Sequence, residues 1–175
     1  MMNNDSFYEL LMKAHQPGWT PPTSLLALDP GETTGWALFE QGRLAQQGEI
    51  EIPTFKDTRI DADHLWSLFI RWQPHVVVIE GYRVYAQKSK AHIWNALYTP
   101  KLIGYVEAIC QSTPYGVDEY YIQMASTKQF CDDGKLKDWG YYLKGKRHSR
   151  DAVRHGCYWL LFFGRSKEKR KEANS

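Results

Sequence analysis

Two kinds of apolar spacing alternate along the chain. After Asp5 or Ser6, either able to cap a helix, Phe7, Leu10, Leu11 and Ala14 recur at helical intervals, and HQPGWTPP then breaks the pattern. Residues 1–22 are therefore predicted to be a short helical extension and linker, whose stripe suits packing on the domain better than docking a partner. SLLALDP is an apolar run ended by an acid, and GWALFEQ and RLAQQGEIEI read as strands around a turn at Gly42, so the three predict an antiparallel meander. Asp57 to Trp72 carries Ile60, His64, Leu65, Leu68 and Phe69 at the spacing of an amphipathic helix. HVVVIE is apolar on both faces, as a central parallel strand is. From Ala91 to Gln111, Ile93, Leu97, Leu102, Val106 and Ile109 predict a helix kinked or broken at Pro100. A strand near EYYIQMA, a polar stretch and a helix from Arg147 to Phe163 complete a domain spanning 23–164. The basic, aperiodic tail over 165–175 is predicted to be disordered.

Composition changes this picture little. With 175 residues, 43% of them hydrophobic, the chain can bury one substantial core, so one domain is expected. The net charge of +2 means that a polyanionic partner would be held by local basic patches and not by the overall field. Cys110, Cys131 and Cys157 are odd in number and form no CxxC pair, and they read as buried small hydrophobes in a reducing compartment. The densest apolar run, CYWLLFF at 157–163, is far shorter than a bilayer span, and the start has no basic leader before an apolar stretch. A cytoplasmic protein with no membrane partner is expected, in a bacterial cell or a phage-infected host.

Chemistry enters with the acids. Asp29 closes the first apolar strand and Glu80 closes HVVVI, so both sit at carboxyl ends of runs that should be buried. Parallel neighbours about 4.8 Å apart would bring the two carboxylates together at the sheet edge where open α/β sheets bind ligands. On the last helix, His148 and Asp151 are three residues apart and share a face, while Ala152, Cys157, Leu160 and Phe163 form the stripe that must turn to the sheet. Clustered carboxylates raise one another's pKa unless a cation neutralises them. Mg²⁺ accepts a few such ligands and leaves positions for water and phosphate oxygens, and two ions about 4 Å apart can activate a water and stabilise a leaving 3′-oxygen. Each residue has a plainer alternative: Asp29 as a cap of the DPGETTG turn, Glu80 as a solvated strand end, His148 and Asp151 as first-turn residues. Four placed in this order tip the balance toward a site.

These segments resemble the RuvC-like Holliday junction resolvases. LLALDPGETTGWALFE is similar to that family's opening strand, acid, Pro-Gly turn and second strand; VVVIEGYRV to its second acidic strand; and HSRDAVRHG to its closing helix. The resemblance implies a three-layer α/β RNase H-like fold, with a mixed five-stranded sheet flanked by helices. It further implies an endonuclease that cuts branched DNA as a homodimer, four-way junctions above all. Asp29, Glu80, His148 and Asp151 would be its metal ligands for two Mg²⁺ or Mn²⁺ ions, Glu80 bridging both, and Lys128 of STKQF would approach the scissile phosphate. The chain departs from the family between Lys128 and His148, where CDDGKLKDWGYYLKGKR replaces a Gly-rich loop and a helix; Lys135 and Lys137 are the candidates for a second catalytic lysine. A phage-type enzyme with broader branched-DNA specificity is consistent with that departure.

Between Lys135 and Arg150 stand six basic residues, Lys135, Lys137, Lys144, Lys146, Arg147 and Arg150, against the one acid Asp138, interleaved with Trp139, Tyr141 and Tyr142. The charges suit phosphates and the rings suit unpaired bases. Tyr82, Arg83, Tyr85, Lys88 and Lys90, after Glu80, have the same character, and the resemblance places them near the branch point with Tyr82 or Tyr85 as a wedge. A sugar-kinase or actin-like ATPase also turns its first strand through an Asp, glycines and threonines, but needs a second lobe and phosphate loop that this chain lacks, so no nucleotide cofactor is expected. A non-catalytic DNA-binding relative conflicts with the intact ligand set, whereas RNA or an RNA–DNA hybrid as substrate stays open.

Overall fold

The computed structural model describes residues 5–53, 60–82, 98–112 and 116–163. The predicted meander forms as β1 (Ser24–Asp29), β2 (Thr33–Glu40) and β3 (Arg43–Glu51), each antiparallel to the next. β4 (Val76–Gly81) and β5 (Glu119–Met124) extend the sheet on the other side of β1, both parallel, to give the order β3-β2-β1-β4-β5. β1, β4 and the antiparallel β2 are interior strands, and β1 and β4 form the central parallel pair, with apolar residues on both faces and both faces covered.

Strand alternation divides the interior in two. Leu26, Leu28, Val77 and Ile79 face α2 (Asp63–Trp72) and α3 (Tyr98–Gln111), through Leu65, Leu68, Phe69, Leu102 and Val106. Leu25, Ala27, Ala37, Phe39, Val76 and Val78 face the other layer, built from α1 (Asp5–Ala14) and α5 (Arg147–Tyr158) through Phe7, Leu11, Ala152, Val153 and Cys157. This is a three-layer α/β fold with a mixed five-stranded sheet, as predicted. α1 is tied to the far end of the chain as well: His15 stacks on Trp19 and its Nε2 lies 2.7 Å from the Leu160 carbonyl oxygen.

Several boundaries differ from the sequence reading, each for a local reason. α2 starts at Asp63 and ends where Gln73 turns left-handed (φ 41°), donating its N–H to the Phe69 carbonyl; Ile60 precedes it as an isolated bridge residue, and 54–59 lie outside the described residues. Pro100 is the third residue of α3 as described from Tyr98, and the residues before Tyr98, against which a kink or break would show, lie outside the described residues. Ala91, Ile93 and Leu97 lie outside the described residues, as does the tail. The last helix is α-helical only to Tyr158 and continues as a π-turn over Trp159–Phe163. The stretch expected to lack a helix contains a short one, α4 (Asp133–Asp138), which Asp132 caps by accepting the Lys135 N–H. All three cysteines are free and buried, and no helix among the described residues is long and apolar enough to cross a membrane.

Candidate active site

Register sets three polar side chains in one row. Leu28 lies opposite Ile79, so Asp29 and Glu80 are each the next residue along parallel neighbours, and Glu80 lies opposite Gln123 on β5. All three continue the alternation that sends Leu25, Ala27, Val76 and Val78 toward α5. Two glycines let α5 settle over this row. A Cβ on Gly35 would stand 2.0 Å from the His148 carbonyl oxygen, and one on Gly156 2.2 Å from the Phe39 ring, so helix and sheet meet where no side chain fits.

The first turn of α5 therefore overhangs the strand ends. His148 Nδ1 is 2.8 Å from Asp29 Oδ2. Lys128, from a 3-10 helix (Ala125–Phe130), donates to both Glu80 oxygens at 3.2 and 3.0 Å and to Asp151 Oδ2 at 2.9 Å. Arg154 Nη1 donates to Asp151 Oδ1 at 2.6 Å, and its Nη2 to Asp133. All five residues singled out for catalysis thus come together from four separate segments. An open cleft of about 660 Å³, lined in part by Lys128, Gln129, Arg147, Arg150, Asp151 and Arg154, lies against the cluster.

The carboxyls are held at different protonation levels. Burial, reinforced by the nearby Glu80 charge, pushes Asp29 up to about 7. Burial would also raise Glu80, but the hydrogen bond and charge of His155, joined by Lys128, outweigh it and hold Glu80 at about 2. Burial works against the Lys128 ammonium too, yet its bonds to Asp151 and Glu80 raise its pKa. Among the described residues no three His, Cys, Asp or Glu side chains are arranged as a ready-made metal cage. The ammonium of Lys128 lies between the Glu80 and Asp151 carboxylates, where positive charge is called for. Three carboxylates and one imidazole gathered at the same strand ends, with Asp151 lining the cleft, are the residue types that suit a hard divalent cation.

Sequence reasoning missed the residues that support the cluster. Glu49 on β3 accepts the His148 N–H at 3.0 Å and so caps α5, whose own N-cap residue, Lys146, makes no side-chain cap. His155 meets Glu80 from behind and is itself backed by Gln123 and Thr127. The one sequence signal for His155 was its place four residues after Asp151, on the same helical face.

Of the residues expected on DNA, Tyr82 is exposed, while Arg83, Tyr85, Lys88 and Lys90 lie outside the described residues. Lys135, Lys137, Lys144, Lys146 and Arg147 are exposed. Arg150 is not a free surface cation: it is partly buried, donating to the Leu143 carbonyl at 2.9 Å and pairing with Asp133 at 3.3 Å. Nor are the rings free to stack on bases. Tyr141 is fully buried and Trp139 nearly so, both packed on Phe7, and Tyr142 lies beneath Lys137 and Arg150. Apolar packing of this loop's rings won over the solvent exposure that its charge implied.

No family model matches the sequence, and no curated protein matches it either. Solved structures do. RuvC of T. thermophilus, in complex with a Holliday junction substrate, superposes with a TM-score of 0.58 at 14% identity, over 81% of this chain and 94% of that one. The yeast mitochondrial Holliday junction resolvase Ydc2 gives 0.61 at 13% identity, over 95% and 90%. The chain has the fold of the RuvC-type resolvases. On this RuvC-type fold, the cluster of Asp29, Glu80, Lys128, His148 and Asp151 occupies the carboxyl ends of two adjacent parallel strands, where an open α/β sheet has its crevice.

Proposed function

We propose that this protein is a divalent-metal-dependent endonuclease that cuts branched DNA, four-way junctions above all. The observation that carries the reading is the convergence of three carboxylates, an imidazole and a lysine at the strand ends of a RuvC-type sheet. Asp29, Glu80, His148 and Asp151 would hold two Mg²⁺ or Mn²⁺ ions. Such ions, when bound, acidify a water and stabilise a leaving phosphodiester oxygen. Lys128 stands on the cleft side of Glu80 and Asp151, placed to pass its charge from those carboxylates to a phosphate oxygen of the substrate. Arg154 ties Asp151 to Asp133 and keeps the first turn of α5 in position.

The DNA backbone would follow the exposed cations Lys135, Lys137, Lys144, Lys146 and Arg147 toward the cleft, with Tyr82 beside the strand end that carries Glu80. Arg150 supports that path from within instead of touching phosphate. Paired nicks in a symmetric junction require two copies of the site, which favours a homodimer. The T. thermophilus relative is bound to a Holliday junction substrate, and the shared fold supports the same class of substrate here.

A cleavage panel tests the reading: four-way, three-way, flap and linear duplex DNA and an RNA–DNA hybrid, with Mg²⁺ or Mn²⁺, beside Glu80→Gln. Metal-dependent nicking of the branched substrates, lost in Glu80→Gln, is expected. Cleavage of the hybrid alone would move the protein to an RNA-processing class, and junction binding without cleavage in either metal would make it a binding module.

A further inference from the structure

α5 turns a mostly apolar or small face to the sheet, with Ala152, Val153, Gly156 and Cys157 all buried, and in its midst His155 is 0% exposed. A polar ring in such a place costs free energy unless its nitrogens are matched. Both are. Nε2 lies 3.0 Å from Glu80 Oε2, while Nδ1 lies 2.7 Å from Gln123 Oε1 and 3.1 Å from Thr127 Oγ1. A carboxylate only accepts, so Nε2 carries the hydrogen and donates to Glu80. Gln123, 3% exposed, closes the relay from β5; turning its amide over would pair the otherwise unmatched Gln123 Nε2 with Nδ1 and leave the bond to Glu80 unchanged.

Glu80 is thus held from two sides that differ in kind. Lys128 reaches it from the cleft with a side chain 25% exposed, and this contact must yield if a cation or a phosphate enters. His155 reaches it from the sealed side and stays whatever the cleft holds. We propose that His155 is a positioning residue: the Gln123–His155–Glu80 relay fixes the Glu80 carboxylate, occupying Oε2 from behind so that Oε1 is presented to the cleft. This inference rests on the proposed role of Glu80 as a metal ligand. Partners behind a ligand fix its orientation and tune its basicity, and losing one weakens metal affinity or activity by about 10–100-fold.

The test compares His155→Leu, which fills the space without a donor, with His155→Gln, which returns an N–H near the Nε2 position. Mn²⁺ affinity is measured by calorimetry without DNA, kcat and KM for a four-way junction in Mg²⁺, and junction affinity in Ca²⁺. His155→Leu is expected to weaken Mn²⁺ binding and lower kcat by about 10–100-fold while KM and junction affinity stay within about twofold, and His155→Gln to recover most of both. Wild-type Mn²⁺ affinity and kcat in a folded His155→Leu protein would overturn the proposal while leaving the nuclease reading intact. Should wild type cut nothing, the nuclease reading fails and the Mn²⁺ measurement still decides the relay. If His155→Leu does not fold, Gln123→Leu removes the relay's far member; an unchanged Mn²⁺ affinity in that variant also overturns the proposal.

Discussion

Along β1, Leu26 and Leu28 enter one core while Leu25, Ala27 and Asp29 enter the other, and β4 repeats this with Val77 and Ile79 against Val76, Val78 and Glu80. The layer under α2 and α3 is closed largely by aliphatic side chains. The layer under α5 begins in the same way but, at the strand ends, buries Asp29, Gln123, Ser149, Asp151 and His155. The two faces share strands, register and backbone, and differ in what the last residue of each alternation is. One face can therefore be expected to carry stability and the other to spend part of it on chemistry. A carboxyl pushed to about 7 by burial beside another charge is a local destabilisation that a purely apolar edge would not have.

The largest expected effects separate the faces outright. Leu102→Ala, at a fully buried site under α3, should cost about 2–5 kcal/mol in urea unfolding with junction turnover per folded molecule unchanged. Asp151→Asn should do the opposite, taking cleavage to background while shifting the unfolding midpoint far less than Leu102→Ala does. A Leu102→Ala protein that loses turnover in proportion to stability would show that the two faces are not independent.

Next in size are two glycines. Gly35→Ala drives a methyl into the His148 backbone at 2.0 Å and should cost about 3 kcal/mol or more, with cleavage lost as the first turn of α5 lifts from the strand ends. Gly104 lies within α3 with nothing inside 4 Å of a would-be Cβ, so Gly104→Ala should stabilise by about 0.5–1 kcal/mol through helix propensity alone. Chemical denaturation of the pair checks both signs at once.

What was legible in the sequence follows the same division. The meander, the central parallel pair β1 and β4 and the helix carrying His148 and Asp151 were readable because each places a long apolar pattern beside an acid, and strand period 2 fixes which face the acid takes. Trp139 and Tyr141 misled because their cationic neighbours hid an apolar role that only the contact with Phe7 of α1 reveals. Glu49, Gln123 and Thr127 were invisible for a different reason. Their partners lie 99, 32 and 28 residues away in the chain, and no local spacing encodes such pairings.

A smaller effect comes from pH in metal-free protein. Asp29 has a folded pKa of about 7 against 3.8 for a free carboxyl, so its contribution favours the fold below about pH 4 and is lost as pH rises toward and through 7. Glu80, held at about 2 against 4.5, contributes stability above about pH 4.5 that is lost as pH falls through 2. The two windows overlap only between about pH 4 and 4.5. Asp29→Asn should therefore gain on wild type between pH 5 and 7.5, seen as a flatter fall in urea midpoint. An equal difference between the two proteins at both pH values would mean that the Asp29 carboxyl titrates normally in the fold.

The smallest effect sharpens the comparison at the edge strand β3, where two glutamates two residues apart serve different ends. Glu51 accepts from the Thr33 hydroxyl at 2.9 and 3.0 Å in an exposed position, where water replaces the bond readily; Glu51→Ala should change stability by less than about 0.5 kcal/mol. Glu49 has a side chain only 11% exposed and gives α5 the N-terminal acceptor that Lys146 does not provide. Losing a helix cap costs about 1 kcal/mol, so Glu49→Ala should fall near that value and Glu49→Gln, which keeps an acceptor oxygen, well below it. The ion pair of Glu49 with Lys146 spans 3.4 Å to a half-exposed ammonium and adds little, so Lys146→Ala should leave stability almost unchanged. Because the capped amide belongs to His148, the two Glu49 variants should also separate in the amide exchange rate of that residue, faster in Glu49→Ala than in Glu49→Gln. Equal exchange in both would place the anchor of α5 in the Gly35 contact alone and not in Glu49.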